Sequence, residues 1–228
     1  AMATNGPGVT NTITGITSAW LDSRAVVLII GQVKTPDLKK NENIRHYGVQ
    51  YVDTKQLFKG ITKSFITLRD NDSPKDIIDY AIKISKSDRP GPVVIEVPLD
   101  LQSKKINCPK SEDIRYRFNL NDLNNEDCSN VNIQSIFAKI ITSKRPVFLL
   151  GTGCVIDGCN QNFIETFIDI FKIPIANSWG SIELIQDQNQ FYIGRPGVVG
   201  KRTANILISN ADFILSIGNR IDLITSAY

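Results

Sequence analysis

Short runs of buried-type, β-branched residues recur along this chain, separated by stretches with helical spacing. Ala25 to Ile30 reads Ala-Val-Val-Leu-Ile-Ile and is closed by Gly31. Pro92 to Val97 reads Pro-Val-Val-Ile-Glu-Val and is ended by Pro98. A continuous apolar run of this length suits a strand covered on both faces, as in a parallel sheet. Pro74 to Lys86 lies between the two runs and places Ile77, Ile78, Ala81 and Ile82 on one side, with Ser73 as its N-cap. Val9 to Ser23 has helical spacing at Val9, Ile13, Ile16, Ala19 and Trp20.

From Asp100 to Asn132 the composition turns polar, rich in Asn, Asp, Lys and Ser, and no period is visible. Such a stretch reads as a linker. The alternation then resumes. Ile133 to Thr142 is helical, Pro146 to Leu150 is a strand, Phe163 to Phe171 is helical and Ile173 to Ala176 is a strand. Lys201 to Ser209 is helical and Asp212 to Ile217 is a strand. Strands alternating with helices imply right-handed βαβ units. The expected fold is α/β, with two three-layer α/β/α units built on mainly parallel sheets, the first incomplete at its N-terminus. The expected boundaries are 1–103, a linker over 104–130, and 131–228.

Composition narrows the function classes. A net charge of +3 over 228 residues argues against nucleic acid or an anionic membrane as partner. No run approaches the roughly 18 apolar residues that span a bilayer. No charged segment followed by an apolar one opens the chain as a secretory signal would. Cys108, Cys128, Cys154 and Cys159 form no CxxC pair, and His46 is the one histidine. These cysteines read as reduced thiols, which fits a cytoplasmic protein. The triplet Asn71-Asp72-Ser73 reads as a chance sequon on that basis.

In doubly wound sheets ligands sit beyond the carboxyl ends of the strands. Four clusters fall at such ends: Gly6-Pro7-Gly8 with Asn11; Gly31-Gln32-Val33 and the loop from Arg45 to Asp53; Gly151-Thr152-Gly153; and Gly218-Asn219-Arg220. Each has a plain reading beside the functional one. Gly151-x-Gly153 lacks the third glycine of a dinucleotide fingerprint, where Ile156 stands, and reads equally as a tight turn. Arg89, in Arg-Pro-Gly-Pro, reads as solvated. His46 reads as a surface or packing residue, and Trp20 and Trp179 as core. Asp53, Asp100 and Asp222 are separate loop carboxylates with no evident partner. No Ser-His-Asp triad or metal set is spelled.

The order of these clusters is more specific than any one of them. Gly6-Pro7-Gly8-Val9-Thr10-Asn11, Gly31-Gln32-Val33, Gly48-Val49-Gln50 with Asp53, and Arg89 through Pro98 together resemble the thiamine diphosphate-dependent enzymes of the acetolactate synthase type. Past the linker, Arg145-Pro146 to Gly153, Ile173-Pro174, Gly197 to Gly200 with Ala204-Asn205, and Ala211 to Arg220 resemble that family's central domain.

The resemblance implies a fragment of a transferase or lyase that decarboxylates a 2-keto acid and passes the aldehyde-level product to an acceptor. It implies thiamine diphosphate and Mg2+ as the parent's cofactors, with FAD in the flavin-carrying members, and a homo-oligomer with active sites between subunits. By position, Pro7 and Asn11 match residues near the aminopyrimidine, and Gln50 matches an active-site glutamine. Arg89, the loop Gly197-Val198-Val199-Gly200, Gly218 and Arg220 match contacts to FAD. The family's catalytic glutamate lies upstream of the Gly-Pro-Gly turn, and its Gly-Asp-Gly diphosphate and metal motif is not found in this sequence. The fragment alone is therefore expected not to turn over.

Three departures stand out. Val49-Gln50-Tyr51 replaces Phe-Gln-Glu, Val198-Val199 replaces Met-His in the flavin loop, and Asp222 is followed by Leu223 rather than a second Asp. The first removes the aromatic bulk that shapes a pyruvate pocket, and the pattern Arg45-x-x-Gly48-x-Gln50-x-x-Asp53 resembles relatives in surface-sugar and lipopolysaccharide pathways more closely. The other two weaken the flavin match. The alternative reading is a nucleotide- or FAD-binding or oligomerisation module without catalysis, and an NAD-dependent dehydrogenase is a remote third.

Overall fold

The computed structural model describes residues 1–38, 43–45, 48–105, 132–156 and 161–226. The chain divides into two compact units, Ala1–Asp127 and Cys128–Tyr228. Most of the expected linker lies outside the described residues, as do His46, Cys108, Cys128 and Cys159.

The first unit has a four-stranded sheet of β1 (Met2–Ala3), β2 (Val26–Gln32), β3 (Ser64–Thr67) and β4 (Pro92–Pro98). The strand order is β1-β2-β4-β3 and every pairing is parallel. Strand alternation sorts the side chains into two layers. Leu28, Ile30 and Val94 pack with Val9, Ile16 and Phe58 on one face. Val93 and Ile95 pack with Ile66, Ile77, Ala81 and Ile84 on the other. The first layer is covered by α1 (Pro7–Thr10), α2 (Ile13–Leu21) and α3 (Thr54–Phe58), and the second by α4 (Pro74–Lys86). A short α5 (Leu99–Gln102) follows β4.

The second unit has α6 (Ile133–Thr142), β5 (Pro146–Leu150), α7 (Thr152–Ile156), α8 (Gln161–Phe171), β6 (Ile175–Asn177), β7 (Tyr192–Gly194), α9 (Arg202–Ser209), β8 (Phe213–Ile217) and α10 (Leu223–Ser226). Its order, β7-β6-β5-β8, is again wholly parallel. Phe148 is fully buried at its centre, in tilted contact with Phe167 and edge-on to Phe171. The α/β class and the parallel sheets agree with the sequence reading.

The structure corrects several local readings. The helix expected over Val9–Ser23 breaks at Asn11 and Thr12. There Thr10 Oγ1 donates to Pro7 O at 3.1 Å and Thr12 Oγ1 to Val9 O at 2.7 Å. Hydroxyls bonding back onto nearby carbonyls offer the backbone a turn in place of a helix. Trp20 and Trp179 are not core residues, being 37% and 48% exposed. Trp179 instead lies under Arg195, whose guanidinium carbon is 4.7 Å from the ring centre. The three loop carboxylates are all partnered. Asp53 caps α3 by accepting from Gln56 N at 3.1 Å. Asp100 accepts from Thr35 N at 2.8 Å, and Asp222 from Thr225 N at 2.9 Å. These backbone donors hold Asp100 and Asp222 below the ordinary carboxylate range.

Candidate functional site

The Gly-Pro-Gly turn leaves the carboxyl end of β1. Gly6 sits at φ 64, in the left-handed region that costs glycine nothing. A Cβ on Gly6 would stand 2.9 Å from both Cβ and O of Gln50. The turn and the loop of Gln50, 44 positions apart in sequence, are thus in direct backbone contact. Gln50 is itself held at φ 60, where a non-glycine residue is strained. Gly48, two residues earlier, is seated on Val33, since a Cβ there would lie 2.7 Å from Val33 Cγ1. The ends of β1 and β2 and the loop 48–53 thereby form one cluster.

Pro7, Asn11 and Gln50 are all exposed at this cluster. Pro7 opens α1, and Asn11 closes that single turn, with its N–H donating to Pro7 O at 3.2 Å. All three side chains are uncharged. Two amides that both donate and accept, beside a proline ring, suit a neutral heteroaromatic ring bearing an amino group.

Arg89 is not part of this cluster. It precedes β4, at the amino end of the sheet, and its Nε donates to Ser23 Oγ at 2.7 Å. The length of β4 separates it from the carboxyl ends, roughly 23 Å at 3.3 Å per residue. It is exposed as expected, but tethered.

In the second unit, the loop Gly197–Gly200 is clamped by Asn205. Gly197 N donates to Asn205 Oδ1 at 2.8 Å, and Asn205 Nδ2 donates to Gly197 O at 3.0 Å. Val198 N donates to Ile224 O at 3.1 Å, which brings this loop to α10, just beyond Gly218 and Arg220. Val198 and Val199 are exposed. Arg220 is exposed and pairs with Asp222 at 3.3 Å. The glycines here pack backbone on backbone. A Cβ on Gly151 would lie 2.2 Å from Gly218 O, one on Gly153 2.7 Å from Gly218 Cα, and one on Gly197 2.0 Å from Ile224 O. Their spaces are filled by the chain itself, and Gly153 N is used by Gly218 O at 2.8 Å.

Gln32 and Glu96 stand inside sequence motifs that give neither of them a role. Both are buried, beside buried Thr54. The signal was present: a carboxylate inside a run otherwise built of Val, Ile and Pro is a residue type that strands seldom bury without purpose.

Two family descriptions match this chain. Residues 1–57 match the thiamine pyrophosphate enzyme N-terminal TPP binding domain, and residues 133–228 match the thiamine pyrophosphate enzyme central domain. The chain belongs to the thiamine pyrophosphate enzymes. Curated relatives of this family align over almost its whole length. The acetolactate synthase large subunit of Lactococcus lactis is 28% identical over 224 residues, covering 97% of this chain and 37% of that protein. The Porphyra purpurea acetolactate synthase large subunit is 30% identical over 226 residues, 96% of this chain and 36% of that protein. Isozyme 3 of Escherichia coli is 29% identical over 225 residues, 97% and 37%. The chain thus spans little more than a third of the length of these relatives. The Gly6–Gln50 cluster lies within the matched TPP binding domain. A binding or oligomerisation module without catalysis is not favoured. Among the described residues, no helix is long and apolar enough to cross a membrane.

Proposed function

We propose that this chain supplies the aminopyrimidine-side wall and the central domain of a thiamine diphosphate-dependent enzyme resembling acetolactate synthase. The whole protein would decarboxylate a 2-keto acid and transfer the aldehyde-level product to an acceptor. The observation that carries this reading is the interlock of Gly6 with Gln50, within the stretch that matches a TPP binding domain.

Thiamine diphosphate, when bound, supplies a carbon that stabilises the negative charge left by decarboxylation. Pro7 and Asn11 would hold its neutral ring. Gln50, fixed by its backbone rather than by side-chain partners, would present an amide to the reacting substrate and orient it. Pro7, Asn11 and Gln50 carry no charge. We therefore assign the diphosphate and Mg2+ to residues beyond this chain, consistent with its span of about a third of its relatives. Among the described residues, no group of three His, Cys, Asp or Glu could hold a metal ion. A homo-oligomer working in the cytoplasm belongs to the same reading.

FAD is the second ligand the resemblance implies, through Arg89, Gly197 to Gly200, Gly218 and Arg220. The glycines of the second unit do not form an open phosphate cradle, because Gly218 and Ile224 fill it. Flavin absorbance of the purified complete protein tests for FAD.

Gln50→Leu in the complete protein should lower kcat about 100-fold and leave the Kd of thiamine diphosphate nearly unchanged. An undiminished kcat would remove Gln50 from the reaction.

A further inference from the structure

The apolar layer beneath the site turns polar at one level of the sheet. On β2 the side chains of that face run Leu28, Ile30, Gln32. On β4 they run Val94, Glu96. Glu96 is 6% exposed and Gln32 is 4% exposed. Three elements send donors to the Glu96 carboxyl. Gln32 Nε2 reaches Oε1 at 3.0 Å, Thr54 Oγ1 at the start of α3 bonds the same oxygen, and Thr67 Oγ1 from β3 reaches Oε2 at 2.9 Å. None of these three donors carries a charge. A carboxyl this deep is retained only where its oxygens are satisfied.

The network reaches beyond the core. Gln32 Nε2 also donates to Val52 O at 3.2 Å, and Gln32 Oε1 accepts from Val33 N at 2.8 Å. Val33 is the seat of Gly48. The segment from Gly48 to Thr54 is therefore pinned at three places: Gly48 on Val33, Val52 on Gln32, and Thr54 on Glu96. Gln50 stands between the first two, in a left-handed conformation that does not persist unless its surroundings impose it. Glu96 joins the last two pins, and among the described residues its hydrogen bonds go to Gln32, Thr54 and Thr67 rather than to Pro7, Asn11 or Gln50.

We propose that Glu96 is a positioning residue. Through Gln32 and Thr54 it clamps the loop 48–54 and holds Gln50 against Gly6. The effect on turnover rests on the role given to Gln50 above, whereas the clamp itself does not.

The test compares two variants of the complete protein. Glu96→Leu removes both acceptor oxygens at similar volume. Glu96→Gln keeps the network, because the amide oxygen still accepts from Gln32 and Thr54 and the amide nitrogen donates to the Thr67 hydroxyl. Amide exchange is read at Tyr51 and Thr54, which bond Gly48 O at 3.1 Å and Val52 O at 2.8 Å, and in the sheet at Leu28 and Val94. The expected result is exchange at least about tenfold faster in the loop of the Leu variant, with the sheet unchanged and the Gln variant restored. If Gln50 acts as proposed, kcat falls about tenfold in the Leu variant and recovers in the Gln variant.

Loop exchange that does not change, or that rises equally in loop and sheet, overturns the clamp. Should the Leu variant fail to fold, Thr54→Val removes a single donor and is read by the same two criteria. Loop-limited exchange without any effect on kcat supports the clamp and retires the role of Gln50.

Discussion

Gly6 and Gly15 lie nine positions apart and answer differently to the same substitution. Gly6→Ala puts a methyl 2.9 Å from the backbone oxygen of Gln50, at a φ of 64 that alanine disfavours. The expected cost is about 1–3 kcal/mol in denaturant unfolding, with weaker thiamine diphosphate binding by titration. Gly15 is exposed on α2, with nothing within 4 Å of a built Cβ. Gly15→Ala should stabilise by about 0.5–1 kcal/mol in the same measurement. Asp212 makes a residue-scale prediction about pH. Its two oxygens accept from Lys144 N and Arg145 N, each at 2.8 Å, and these bonds hold its carboxyl below the usual range. A depressed folded value means the stabilisation is present above about pH 3.9. It is lost as pH falls through the folded value. Asp212→Asn should flatten the acid limb of the melting temperature against pH, measured from about pH 6 down to pH 2.

Elements whose signals are local were legible in the sequence. Pro74–Lys86 has its cap and its terminal lysines in one continuous stretch, and the helix runs over those bounds, but its buried face is Ile77, Ala81 and Ile84, while Ile78 and Ile82 of the expected stripe are 40% and 42% exposed. Ser73 Oγ accepts from Asp76 N at 3.4 Å, so Ser73→Ala should lower the melting temperature by the equivalent of about 1 kcal/mol. Elements whose signals are not local were missed. β3 (Ser-Phe-Ile-Thr) and β7 (Tyr-Ile-Gly) are edge strands of four and three residues. Neither is long enough to show a period, and each is a strand because a neighbour pairs with it. In the second unit Phe148 is the centre of the aromatic cluster, and Phe148→Ala should cost about 3–5 kcal/mol, seen as faster exchange at Leu149 and Ala176 of the adjoining strands.

At the scale of the molecule, the chain matches two domain types of the thiamine pyrophosphate enzymes. Its matched relatives are nearly three times as long. Assayed alone with thiamine diphosphate, Mg2+ and a 2-keto acid, these 228 residues should release no carbon dioxide above background, whereas the complete protein should. Each sheet is covered by helices of its own unit.

The α/β class, the elements with local signals and the family were legible in the sequence, because period, strand-length apolar runs, caps and ordered motifs are carried by neighbouring residues. The sequence also named the exposed residues of the cluster by position. That Gly6 meets Gln50, that Arg89 stands at the opposite end of β4, and that Glu96 gathers Gln32, Thr54 and Thr67 beneath the loop became visible in the folded chain alone. Those relations join residues tens of positions apart. Sheet register and layer packing create them, and no local stretch of sequence contains both partners.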